Sequence, residues 1–212
     1  MTRSRISAAP ILLVTLALLV FVTGCRINVD KDANGKDKKV QIDTPFGGIH
    51  VNTDKTTALD VGLPVYPGAQ PVQDHDSNKS VDVHMGFGSF EMRVRAVSYA
   101  SPDAQDKVLA FYQKALGSYG NVITCKNHEP IGSPAVTTEG LSCADHENYD
   151  HGDNGGDHHH HIGNSENLEL KAGSPRHQHI VSFDKPQDGQ TRFAIVWLEL
   201  PVNPDSHTGQ SD

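Results

Sequence analysis

No stretch of this sequence stays apolar for the roughly twenty residues that a bilayer-spanning helix needs. The longest uncharged apolar run, Ile11 to Val22, is twelve residues. Aromatic residues make up 6% of the 212 residues, with a single Trp, so the packed part should be smaller than the chain. There are three cysteines. Lys and Arg are absent between Lys126 and Lys171. The usual signatures of catalysis are missing as well. There is no G-x-S-x-G, no phosphate-cradling glycine loop and no carboxylate pair that spacing places at one substrate. The expectation is a protein that is not an enzyme, with no catalytic residue assigned. Its formal net charge of −8 argues against nucleic acid, a polyanion, and against anionic lipid surfaces as partners.

What is present begins with an address. "MTRSRISAAP" holds Arg3 and Arg5 and no acid, and the apolar run follows it. A charged start and a short apolar stretch are the layout of a signal peptide. Val22-Thr23-Gly24-Cys25 then resembles the lipobox of bacterial lipoproteins. The resemblance implies that residues 1–24 are a signal peptide and that Cys25 becomes the acylated (palmitate-bearing) first residue. With Arg26 rather than Asp behind it, it also implies an outer-membrane lipoprotein facing the periplasm. The implied partners are the membrane, through the N-terminal lipid, and an envelope protein. Loss of Arg3 and Arg5 with the signal would move the charge from −8 to −10.

With Cys25 lipidated, only Cys125 and Cys143 remain. In an oxidising compartment two cysteines most simply pair, and a disulfide closing such a loop contributes about 3 kcal/mol in the chain-entropy model.

Along the chain, residues 25–37 are polar and turn-rich and read as a tether. In residues 38–56, Val40, Ile42, Ile49 and Val51 alternate with polar residues around "PFGG", the pattern of a small β-hairpin. Residues 57–200 read as the main domain, with a long His/Asp/Gly loop at 145–165, and residues 201–212 as a flexible tail. In "SPDAQDKVLAFYQKALGSYG", Val108, Phe111, Tyr112 and Ala115 recur at helical spacing, widened by Leu109 and Leu116. Ser101 is the expected N-cap and Pro102 the first helical residue. "KSVDVHMGF", "FEMRVRAVSY", "NVITCK", "NLELKAG", "HQHIVSFD" and "TRFAIVWLEL" read as strands, the last apolar on both faces and therefore central. The expected fold class is α+β: a mostly antiparallel sheet with one amphipathic helix packed on it, preceded by the hairpin. The stretch from "YPGA" to "VLAFYQKALGSYG" resembles small uncharacterised exported bacterial domains, which implies that fold and no activity.

The 145–165 loop carries most of the remaining chemistry. Between Lys126 and Lys171 lie nine acids and seven histidines. "HENYDH" is not the H-E-x-x-H of zinc hydrolases, because His151 follows His146 by five positions. "DHGDNGGD" lacks the alternating Asp and distal Glu of a calcium loop. His146, His151, His158, His159, His160 and His161 nonetheless offer imidazoles suited to Zn, Ni or Cu. His177 and His179, two apart on a strand, should share a face at the core margin. Two readings stay open: a non-enzymatic, envelope-anchored structural or interaction module without cofactor, or a periplasmic transition-metal-binding lipoprotein that uses the loop.

Overall fold

A computed structural model describes residues 25–72 (apart from 32, 34 and 36), 79–143 and 168–201. Its elements are β1 (Arg26–Lys31), β2 (Asp37–Thr44), β3 (Gly47–Thr53), α1 (Ala58–Val61), β4 (Gln70–Pro71), β5 (Ser80–Phe87), β6 (Phe90–Ser101) and α2 (Gln105–Leu116). A 3₁₀ turn (Gly117–Tyr119) leads to β7 (Ile123–Lys126), β8 (Glu129–Pro130), β9 (Leu168–Ser174), β10 (His177–Phe183) and β11 (Thr191–Glu199). All eleven strands pair antiparallel in one sheet, in the order β1-β2-β3-β5-β6-β11-β10-β9-β7-β8, with β4 alongside β6. The α+β expectation is therefore wrong. The described residues form a large antiparallel sheet carrying two short helices, of 4 and 12 residues.

The physical reason lies in pairings that the local pattern does not show. The 38–56 hairpin is not a separate element, because β3 pairs along its whole length with β5, from Gly47↔Phe87 to Thr53↔Val81. Nor are residues 25–37 a plain tether. Ile27 and Val29 alternate with Asn28 and Asp30, and Arg26–Lys31 form β1 on the edge of β2. As expected, β11 is central, between β6 and β10.

Cross-strand partners in an antiparallel ladder point to the same side, so register fixes which residues share a face. On one side, the helix face, Val97, Tyr99, Phe193, Ile195, Val181, Phe183, Leu170 and Ala172 pack against Val108, Tyr112 and Leu116 of α2 and Ala58 and Val61 of α1. The buried stripe of α2 thus runs at i, i+4 and i+8, while Phe111 and Ala115 flank it half-buried. Tyr112 is fully buried, and its hydroxyl accepts a hydrogen bond from the Tyr66 backbone N–H at 3.2 Å.

The start of α2 differs from expectation. Ser101 belongs to β6, and the N-cap is Ala104. Ser101 Oγ instead accepts the Asp103 N–H at 3.2 Å, turning the chain between strand and helix. The helix α1 was not expected. Its signal was present in Thr57 and Asp60, since a Thr followed at the third position by an acid is a capping pattern. The Asp60 carboxylate accepts the Thr57 backbone N–H at 2.8 Å.

Cys125 and Cys143 are bonded, with Cα atoms 5.6 Å apart. Together with Ile123 and Leu141 they form a second, smaller buried cluster. Ile123 and Cys125 pair with Lys171 and Glu169 of β9, so this cluster lies on the side away from α2. There it covers Lys171 and Gln178, both fully buried. The Lys171 ammonium has the Glu169 carboxylate as counter-charge at 3.5 Å.

Candidate interaction surface

The half of the sheet built by β1, β2, β3, β5 and β6 has two chemically opposite sides. On the helix face, beside the helix-covered core, the rows are mostly polar. One row crosses Gln41, His50, His84, Arg93, Glu199 and His177. The next runs through Lys39, Asn52, Asp82, Arg95 and Trp197 to His179.

These groups neutralise one another locally. Arg93 grips Asp82 with two bonds, Nε–Oδ1 at 3.2 Å and Nη2–Oδ2 at 2.9 Å. Burial would raise the Asp82 pKa, but the two guanidinium neighbours, Arg93 above all, hold it below the usual carboxylate range. Arg95 lies 5.2 Å over the Trp197 ring and donates to the Asp60 carbonyl at 3.1 Å, tying this face to α1. His50 and His84 stand edge to face, with ring centroids 6.3 Å apart. Each keeps its own carboxylate, Asp43 at 2.8 Å and Glu91 at 3.0 Å.

His177 and His179 do share this face, as their spacing implied, but their surroundings diverge. His177 is exposed beside Glu199 at 3.3 Å. His179 is buried and stacked on Tyr119 with centroids 3.6 Å apart. Burial pulls its pKa down to about 4, only partly offset by its bond to the Val61 backbone. Gly62, at φ +80°, closes this corner, because a Cβ there would lie 2.6 Å from the Tyr119 hydroxyl oxygen.

The opposite side is apolar. The register aligns five valines across five strands, Val29–Val40–Val51–Val83–Val94, ending at Leu198 on β11. Beside them runs Ile27–Ile42–Ile49–Met85–Met92. None of these ten residues reaches full burial: Ile27 and Val29 are exposed, and the other eight are half-buried. The contrast with the helix-covered core, where Val181 and Ile195 are fully buried, shows a face packed sideways but not buried by the described residues. Contiguous apolar surface of this kind marks a place for association. The sequence carried the signal strand by strand, in the alternation of Val40 and Ile42, Ile49 and Val51, and Met92 and Val94. It did not tell which side α2 would cover.

Of the expected site residues, Cys25 is exposed directly before β1, and Cys125 and Cys143 are joined. His146, His151, His158, His159, His160 and His161 lie outside the described residues, as do the proposed signal segment and residues 202–212 of the tail. Among the described residues, no group of three or more His, Cys, Asp or Glu side chains is placed to hold a metal ion. No described helix is long and apolar enough to cross a membrane. Compared with known families, curated proteins and solved structures, the chain matches none.

Proposed function

We propose that this protein is an envelope-anchored lipoprotein, held at the outer membrane by acyl chains on Cys25, that works as an interaction module and not as an enzyme. One observation carries the reading: the valine and isoleucine–methionine rows of the β1–β6 half-sheet, which the described residues leave short of full burial. A partner protein that presents its own apolar face would gain roughly 25 cal/mol for each Å² of apolar surface removed from water. The polar rows on the reverse, where Arg93 and Arg95 share Asp82 and where His50, His84 and His177 each face a carboxylate, offer less to such a partner. The lipobox supports the anchor, because it ends at an exposed cysteine.

Two measurements test the proposal. Intact-mass analysis of native protein should give a chain beginning at Cys25 with acyl mass added. A photo-crosslinking residue at Val51, on the apolar side, should form a discrete adduct in intact envelopes, and the same residue at Gln41, on the polar side, should not. An unmodified start elsewhere would remove the anchor. Equal labelling from both positions, or none from Val51, would remove the interaction face.

A further inference from the structure

The β2–β3 and β5–β6 turns lie side by side at one end of the half-sheet. Gly47 pairs with Phe87 and Phe87 with Phe90, while the Gly88 N–H donates to the Phe46 carbonyl at 3.2 Å. Three phenylalanines therefore gather where the two hairpins turn. Their exposures are 83% for Phe46, 40% for Phe87 and 38% for Phe90. β1 starts at this same end, since Arg26 pairs with Asp43, one residue before β2 finishes at Thr44. Cys25 and the 63%-exposed Ile27 are thus neighbours of the turn that carries Phe46. Of the nine most exposed large apolar residues among those described, four (Ile27, Phe46, Phe87 and Phe90) are at this end.

We infer that this end of the sheet is a membrane-contact tip, with Phe46, Phe87 and Phe90 entering the lipid headgroup–acyl boundary beside the anchored Cys25. The inference rests on the lipid-anchor reading for its orientation. Two considerations select a bilayer over another occupant. The chain enters the sheet one residue after Cys25, so an acyl group there brings this end, and no other, to the lipid surface. The tip also consists of two adjacent hairpin turns. Such a shape suits insertion into a deformable interface better than the broad burial a stable protein–protein interface requires. An exposed aromatic tip then acts as a second membrane signal, of the kind that strengthens a lipid anchor.

The test uses residues 25–212 with Cys25→Ser, which retain every described strand and carry no acyl chain. Co-sedimentation with vesicles of zwitterionic phosphatidylcholine, which spare the acidic chain a like-charged surface, should show weak binding. Phe46→Ser should lower the bound-to-free ratio about tenfold, the loss expected for withdrawing one large apolar side chain. Phe46 lies in a solvent-facing turn, so the thermal midpoint should not move. Leu59→Ser, at an equally exposed residue (86%) on α1, is the control and should bind as the parent does. Loss of binding in Phe46→Ser alone supports the tip. Equal binding by all three proteins overturns it. So does finding that Phe46→Ser dissolves a self-associated form and leaves vesicle binding unchanged. Because the tested chain lacks the acyl group, a failure here leaves the anchor reading to its own mass measurement.

Discussion

Lowering the pH from 8 to 5 should weaken this fold through one residue, His179. Its imidazole is 9% exposed, stacked on Tyr119 and bonded to the Val61 backbone, and its folded pKa is about 4. In the unfolded chain it titrates near 6.5. Between those values the unfolded state binds a proton that the folded state refuses, so stability rises with pH across this window. The contribution is complete above about 6.5, declines as pH falls and levels off below about 4. At pH 5 the ring is some 1.5 units below its unfolded pKa and still neutral in the fold, a loss of about 2 kcal/mol. For a domain of this size that is roughly 4–8 °C in the thermal midpoint. His179→Phe keeps a ring on Tyr119 and removes the titration. Its midpoint should start lower at pH 8, because the Val61 carbonyl loses its donor, but should fall less toward pH 5. The rest of the chain is common to both proteins, so the difference between the two pH profiles isolates His179. Parallel profiles from pH 8 to 5 would refute the argument.

Tyr112→Ala should cost about 3–5 kcal/mol in denaturant unfolding, as for other buried large-to-small changes, with Phe111→Ala costing less because that ring is only half-buried. Equal losses would mean that the covered side of α2 is misassigned. Replacing Cys125 and Cys143 together with Ala should lower stability by about 3 kcal/mol, and reduction of the parent should give the same loss. A melt insensitive to both treatments would show that the cluster around Ile123 and Leu141 holds without its crosslink.

What could be read from the sequence was what depends on neighbours a few residues apart. The helical spacing of Val108, Phe111, Tyr112 and Ala115 marked α2, although the residues it buries fully are Val108, Tyr112 and Leu116, and the doubly apolar run Phe193–Leu198 marked β11 as central. Setting Cys25 aside on the lipobox resemblance left Cys125 and Cys143 to pair, and they do. What escaped depends on distant partners. Nothing local to Gly47–Thr53 says that it will pair with Val81–Phe87, so the hairpin read as an element that either docks on the main domain or pairs with a partner, and the sheet looked smaller than it is. Ile27 and Val29 sit among Arg, Asp and Lys, and that charge hid the alternation that makes β1 a strand. Ser101 has the chemistry of a cap, but the long pairing of β6 with β11 carries the strand through it. The apolar side of the half-sheet was visible as parity in each strand, yet its lack of cover is a property of where the helices land.

The absence of a linker between Cys25 and β1 also has a mechanical meaning. A load applied at Cys25 reaches the sheet at once, through the first residue of a strand hydrogen-bonded to β2. Pulled along its own axis, β1 must slide past β2, so its cross-strand bonds share the load in shear. Pulled sideways, it peels, and the bonds nearest Arg26 break first, one after another. The resistance of the molecule to being drawn away from whatever holds Cys25 is therefore directional. It is set by the angle between β1 and the line of force, with no slack chain to absorb the first displacement.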